Sequence, residues 1–165
     1  MEGRSTGSSQ KEREAMMAKH TDRADAAAMR RATGAAVAAG GSAGACLRYG
    51  VGLLLPFHPV TGFPWATLAV NLAGCLFLGW FFTWVQERPG LSPLWKPLLG
   101  TGLTGATTTF STFAVEALEL FAAHRYAASA LYLTVSIGFG LGLARIGMCW
   151  AARFKPAGAL QEGRR

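Results

Sequence analysis

Four long apolar stretches, separated by short polar breaks, dominate the chain. They run over about residues 35–55, 65–85, 94–123 and 127–150. A helix needs about 20 apolar residues to cross roughly 30 Å of hydrocarbon, since each residue adds about 1.5 Å. Helices also satisfy their own backbone hydrogen bonds, which lipid cannot do. The pattern therefore predicts an all-α integral membrane protein with four transmembrane helices.

Charged residues lie mainly outside these stretches. The chain has 16 Lys and Arg and 9 Asp and Glu; 12 of these lie in residues 1–31 and 6 in residues 145–165. Residues 32–144 hold only 7, far below the roughly 25% of a soluble domain. We therefore predict a disordered or weakly helical polar tail over residues 1–31, a four-helix transmembrane domain over 32–152 and a polar tail over 153–165.

The formal net charge of +7 indicates a membrane orientation and does not indicate a nucleic-acid partner. The basic residues sit in tails and loops, and no aromatic residues are interleaved with them. Four spans put both termini on one side of the membrane. That side collects most of the basic residues near span ends, namely Arg23, Arg30, Arg31, Arg88, Lys96, Arg153 and Lys155. The positive-inside rule thus predicts a multi-pass protein of the cell (plasma) membrane with cytoplasmic termini.

No constellation of catalytic residues is visible. Cys46, Cys75 and Cys149 lie in apolar stretches without CxxC spacing, which favours neither a disulfide framework nor a metal site. No set of His, Asp, Glu and Cys converges within the spans. We therefore predict that the chain is not an enzyme.

The third apolar stretch is unusual because residues 100–113, GTGLTGATTTFSTF, combine glycine with many hydroxyl residues. Glycine and threonine are poor helix formers, and hydroxyls can replace backbone hydrogen bonds that a break sets free. We predict a third helix broken at mid-membrane, with carbonyl oxygens near Gly105 and Thr108 available to Na⁺. The alternative is a threonine-rich packing face whose hydroxyls bond back to carbonyls of their own helix.

Glycine pairs spaced by four residues predict close helix contacts. Gly40 and Gly44 form one such pair in the first span, and Gly138 and Gly142 form another in the fourth. Small residues at this spacing let backbones approach within a bilayer. Four short helices enclose little volume, so a dimer is expected.

Three motifs resemble the Fluc (CrcB) family of fluoride channels. The third span carries TTFSTF over residues 108–113, with Gly105 before it and Glu116 after it. GGSAGACLRY over residues 40–49 and ATLAVNLAGCLFLG over 66–79 are similar to the family's first and second helices. The resemblance implies a dual-pore channel built from two four-helix subunits packed antiparallel. It implies that the channel passively exports fluoride, with a structural Na⁺ at the dimer centre.

The resemblance also implies roles for individual residues. The main-chain carbonyls of Gly105 and Thr108 would bind the Na⁺ from each subunit. Phe110 and Phe113 would line the pores as a ring pair, and Arg48 and Glu116 would lie in a vestibule. Polar groups for fluoride would come from Asn71, Ser111, Thr112, Tyr132 and Ser136. Gly140 departs from the family pattern, which has a third polar group there on the fourth helix.

Three of these residues also have a simpler interpretation. Asn71 could only join helices, Arg48 could extend to the membrane surface, and Glu116 could be solvated at a span end. A small four-helix multidrug or cation transporter is the main alternative function, although residues 35–55 lack the acid that such a transporter needs. A non-transporting anchor or assembly protein is another alternative.

The charge bias bears on the composition of the expected dimer. An antiparallel homodimer requires the chain to insert into the membrane in both orientations. A weak excess of basic residues on one side favours this, and the excess in this chain is strong. We therefore hypothesise a heterodimer with an oppositely oriented paralogue. A homodimer is the alternative if the tail charges do not control insertion.

Overall fold

The computed structural model describes residues 5–88 and 90–154, and these residues form helices and no strand. Helix α1 spans Ser5–Leu54 and α2 spans Trp65–Gln86. The third segment consists of a π-helix at Lys96–Thr104, a single turn, α3, at Gly105–Thr107, and α4 at Phe110–Ala122. Helix α5 spans Tyr126–Ala152. The described part of the chain is therefore all-α, as predicted.

Two helices, α2 and α5, are long and apolar enough to cross a membrane. They coincide with the second and fourth predicted spans, and only 28% and 17% of their most apolar 18-residue windows are buried within the chain. The third apolar stretch is divided, so none of its helices reaches that length. Within the described residues α1 does not meet the same test, and the count of four spans stays a prediction.

The backbone contacts divide the chain into two compact units, Met1–Ala35 and Ala36–Arg165. Where the sequence indicated a disordered or weakly helical tail over residues 1–31, the structure has helix from residue 5. The structure thus has the helical alternative over residues 5–31, where alanines and straight-chain charged residues favour a helix. Every side chain from residue 13 to 31 is exposed. Residues 155–165 of the predicted C-terminal tail, with Lys155, lie outside the described residues, and the domain boundaries stay predictions.

The third segment is interrupted at two extended residues, as predicted. Thr108 has φ −78° and ψ 154°, and Thr109 has φ −149° and ψ 126°. The alternative interpretation also holds for the turns before the break, because hydroxyls there bond back to carbonyls of their own segment. Thr104 Oγ1 donates to the Leu99 carbonyl and Thr108 Oγ1 to the Thr104 carbonyl.

Glycines bring α1 against the π-helix. A Cβ atom at Gly40 would lie 2.1 Å from the Leu98 carbonyl oxygen, and one at Gly44 would lie 2.2 Å from that of Leu103. This predicted close contact is confirmed within the chain. A Cβ at Gly138 or Gly142 would meet nothing within 4 Å in the described part of the chain, so the second pair makes no such contact there.

Helix α5 instead packs on α2 through other small residues. A Cβ at Gly147 would lie 2.3 Å from the Leu76 carbonyl oxygen, and one at Gly79 would lie 2.2 Å from that of Ala144. Helices α2, α4 and α5 together bury a small core next to the interruption. Its members are Leu68, Phe113, Ala117, Leu120 and Tyr132.

The adjacent glycines of α1 give a matched test of this packing. Gly40→Ala should lower stability by about 1–3 kcal/mol, because the new methyl group clashes with backbone that cannot move aside. Gly41→Ala meets open space and should be neutral or stabilising, since alanine is the better helix former by about 1 kcal/mol. Thermal unfolding of the two variants in detergent measures the difference. Equal midpoints would contradict the described contact.

Candidate functional site

The interruption of the third segment is held by one side chain of α2. Asn71 donates from Nδ2 to the carbonyl oxygen of Thr109 at 3.0 Å, and its Oδ1 accepts from the backbone N–H of Thr109 at 2.8 Å. Asn71 thus satisfies both backbone groups of an extended residue. Asn71 therefore joins α2 to the third segment, as the simpler interpretation of this residue predicted. One N–H of its amide has no partner among the described residues.

The same arrangement diverts the usual helical partners of two carbonyl groups. In an unbroken helix the Gly105 carbonyl would accept from the N–H of Thr109, and the Thr108 carbonyl from the N–H of Thr112. Here the first N–H binds Asn71, and the second donates to Thr109 Oγ1 at 3.2 Å. The two carbonyl oxygens predicted to bind Na⁺ are therefore among those that lose their helical donors at the break. Their chemistry suits a hard cation.

Thr109 was not among the predicted site residues, and it begins α4. Its Oγ1 accepts from the Thr112 N–H and donates to Thr112 Oγ1 at 3.0 Å, which is the bonding of an N-terminal cap. Its Oγ1 also lies 3.3 Å from Ser111 Oγ. A signal for this role existed in the sequence, because a threonine directly before an apolar helical run is a preferred capping residue.

A groove of about 330 Å³ beside the interruption collects several predicted pore residues. Phe110 and Phe113 line it with ring centroids 5.8 Å apart and planes at 44°. Phe110 is 81% exposed, whereas Phe113 is 9% exposed and packs 5.1 Å from the Tyr132 ring. The groove is also lined by Asn71, Thr108, Thr109 and Ser136.

Glu116 is buried, with 8% of its surface exposed. Thr67 Oγ1 donates to its Oε1 and the Tyr132 hydroxyl donates to its Oε2, both at 2.8 Å. The alternative interpretation, in which Glu116 is solvated at a span end, is therefore wrong for this structure. The donors come from α2 and α5, so this carboxyl group joins three helices. Thr67 was missed, although it precedes Asn71 by four residues and so shares its helix face.

A second cavity, of about 300 Å³, is lined by Glu116 and shares Thr109 with the groove. Arg48 of α1 lines it together with Thr112 and Glu116, and Arg48 is half-buried. The structure thus brings both predicted vestibule residues to one cavity. Phe57 of the α1–α2 loop also lines it.

Two predicted pore residues, Tyr132 and Ser136, lie on α5. Tyr132 is fully buried between Phe113 and Glu116. Ser136 lies one turn further along the same face, and its Oγ is buried without a hydrogen-bond partner in the described part of the chain. An unsatisfied buried hydroxyl is rare and is available to a ligand. At Gly140, where a polar group was expected, a Cβ would lie 3.4 Å from the Cys75 thiol.

The fold and the site together define a class: a helical membrane protein in which an interrupted helix is held by a buried amide next to an aromatic groove. The family described as CrcB-like protein, Camphor Resistance (CrcB), matches residues 35–148. The chain belongs to this family.

Relatives of known name agree with this assignment. The fluoride-specific ion channel FluC of Oceanobacillus iheyensis is 46% identical over 109 residues, which cover 66% of this chain and 83% of that protein. FluC 2 of Geobacillus kaustophilus is 42% identical over 106 residues, covering 64% and 82%. FluC of Synechococcus sp. is 38% identical over 116 residues, covering 70% and 89%.

The Asn71 contact can be tested through stability. Asn71→Ala should destabilise the protein by about 1–3 kcal/mol, because the Thr109 N–H and carbonyl then lose their partner. Thr83→Val is a matched control on the same helix, since the Thr83 hydroxyl only bonds back to the Gly79 carbonyl. Thermal unfolding in detergent should show a clear fall for Asn71→Ala and little change for Thr83→Val. Equal effects would show that the amide is not what holds the interruption.

Proposed function

We propose that the chain is a fluoride-specific ion channel that passively exports fluoride from the cytoplasm and so reduces its toxicity. The observation that carries the proposal is the groove, in which Asn71, Phe110, Phe113 and Ser136 meet beside the interrupted helix. The relatives named above are fluoride-specific ion channels. The chain covers more than four-fifths of the length of each.

The chemistry of the groove suits a small, strongly hydrated anion. Fluoride leaves water only if directed donors replace its hydration shell, and the unpartnered N–H of Asn71 and the Ser136 hydroxyl are such donors. The edge of a phenyl ring is positive through its quadrupole. Edge contacts from Phe110 and Phe113 would hold the anion only weakly, which favours release as well as entry.

The proposal includes a structural Na⁺ bound by the carbonyl oxygens of Gly105 and Thr108. It is supported by the loss of the helical donors of both carbonyls. Two oxygens are fewer than such a cation needs, so a second subunit would supply the rest. The ion would neutralise carbonyl dipoles that otherwise face each other across the contact between subunits.

The proposed channel is an antiparallel dimer of four-span subunits in the cell membrane, with the termini of this chain in the cytoplasm. Phe110 is 81% exposed although it borders the groove, and a partner subunit would cover it. A cation transporter is less well supported. Its binding acid would have to be a membrane carboxylate, and Glu116 already accepts from two hydroxyls.

Efflux from proteoliposomes tests the function. Liposomes carrying the protein should release fluoride and retain chloride, and Phe110→Ile should abolish the release by removing the ring edge. Phe139→Ile is the matched control, because Phe139 is 63% exposed on α5 and has no ring partner in the described part of the chain. Replacing Na⁺ by a large organic cation during purification should also reduce efflux.

The same efflux measurement distinguishes a homodimer from a heterodimer and can contradict the proposed function. Full efflux from the purified chain would establish a homodimer and refute pairing with a paralogue. Efflux only after co-expression with an oppositely biased paralogue would establish the heterodimer. Absence of fluoride efflux from both preparations would overturn the proposed function.

A further inference from the structure

Arg125 makes a contact that the functions proposed above do not use. It lies in the turn between α4 and α5, and its Nη1 donates to two carbonyl oxygens of the α1–α2 loop, residues 55–64. The acceptors are Pro59, at 3.1 Å, and Gly62. The guanidinium is half-buried, and hydrogen bonds from a charged donor are roughly twice as strong as neutral ones.

The turn that carries Arg125 is firmly held. Three backbone hydrogen bonds close it: Ala123 N–H to the Glu119 carbonyl, His124 N–H to Phe121, and Arg125 N–H to Leu120, at 2.9, 3.0 and 2.9 Å. His124 adopts a positive φ of 59°, a backbone conformation that residues other than glycine rarely adopt. A backbone fixed in this way directs the guanidinium at the loop.

The loop reaches both parts of the candidate site. Its turn is closed by the Gly62 N–H, which donates to the His58 carbonyl at 2.7 Å. Phe57 lines the cavity that contains Arg48 and Glu116. The Phe63 ring packs edge-on against Tyr132 with centroids 5.6 Å apart, and Tyr132 donates to Glu116.

We infer that Arg125 is a positioning residue for the ion pathway. Its two hydrogen bonds hold the loop so that Phe63 presses on Tyr132 and Phe57 stays at the cavity. Tyr132 then keeps its hydroxyl on Glu116 and its ring on Phe113. Without Arg125 the loop separates from the α4–α5 turn, and the donors along Tyr132 and Ser136 lose their alignment. The inference rests on the proposed function, because the pathway is the one proposed there.

Lysine and methionine make a matched pair of replacements. A single nitrogen of Arg125 supplies both hydrogen bonds, so the ammonium of Arg125→Lys can replace it, whereas Arg125→Met has similar length and no donor. Arg125→Met should slow fluoride efflux by about tenfold. Loss of a charge-assisted hydrogen bond shifts the equilibrium between the held and the released loop by about this factor. Arg125→Lys should retain at least about half of the wild-type rate on the same reasoning.

A control separates the contact from loss of positive charge. Arg153→Met removes a charge at the other end of α5, where the arginine is exposed and its side chain makes no hydrogen bond within residues 5–88 and 90–154. Its efflux should equal that of the wild type. Neither change reverses the predicted orientation, because Arg125 is not among the basic residues of the cytoplasmic side and six others remain there without Arg153.

Two further readouts distinguish positioning from general stability. Phe63→Leu should slow efflux, and adding it to Arg125→Met should cause little further loss, because both changes break the same connection. Chymotrypsin should cut the Phe57–His58 bond faster in Arg125→Met than in wild type or Arg125→Lys. Additive effects, or equal cleavage in all three proteins, would overturn the inference.

The outcomes for the two proposals are separable. If wild type shows no fluoride efflux either alone or co-expressed with a paralogue, the proposed function fails, and cleavage at Phe57 still reports whether Arg125 holds the loop. If wild type conducts and Arg125→Met conducts equally well, the inference about Arg125 fails while the function stands.

Discussion

An extended residue in an otherwise helical segment has an N–H and a carbonyl group that its own helix cannot satisfy, and lipid offers them nothing. Thr109 is such a residue, and Asn71 satisfies both groups at 2.8 and 3.0 Å. The rest of the site depends on this pair of hydrogen bonds. They fix where α4 begins, direct Phe110 and Phe113 to one groove, and divert the donors of the Gly105 and Thr108 carbonyls.

Glu116 is the second polar centre, and it is coupled to the first through Tyr132. A buried carboxyl group is costly unless it is hydrogen-bonded, and here Thr67 and Tyr132 donate to its two oxygens. The Tyr132 ring packs against both Phe113 and Phe63. A single buried tyrosine thus connects the carboxyl group, the groove and the α1–α2 loop. This is why a contact as distant as that of Arg125 bears on the proposed pathway.

The interruption could be predicted from local sequence, since glycine and threonine are poor helix formers and their hydroxyls can replace backbone partners. The family could be predicted from three ordered motifs. The contact between Asn71 and Thr109 could not, because it joins residues 38 apart and no local pattern specifies the partner. Burial of Glu116 and the contact of Arg125 depend on tertiary packing in the same way. The glycine pairs look alike in sequence, yet only Gly40 and Gly44 meet a neighbour within the described chain.

The two phenylalanines differ in how far this chain alone covers them. Phe113 packs on Tyr132 and is 9% exposed, whereas Phe110, less than one helical turn away, is 81% exposed. A large ring beside this groove contributes little to conduction while the groove stays open, because a pore must replace the hydration shell of the ion. Thr108 and Thr109 of the interruption line the same groove. The exposed Phe110 ring and the interruption therefore border one groove, and a partner chain in the proposed dimer would cover both.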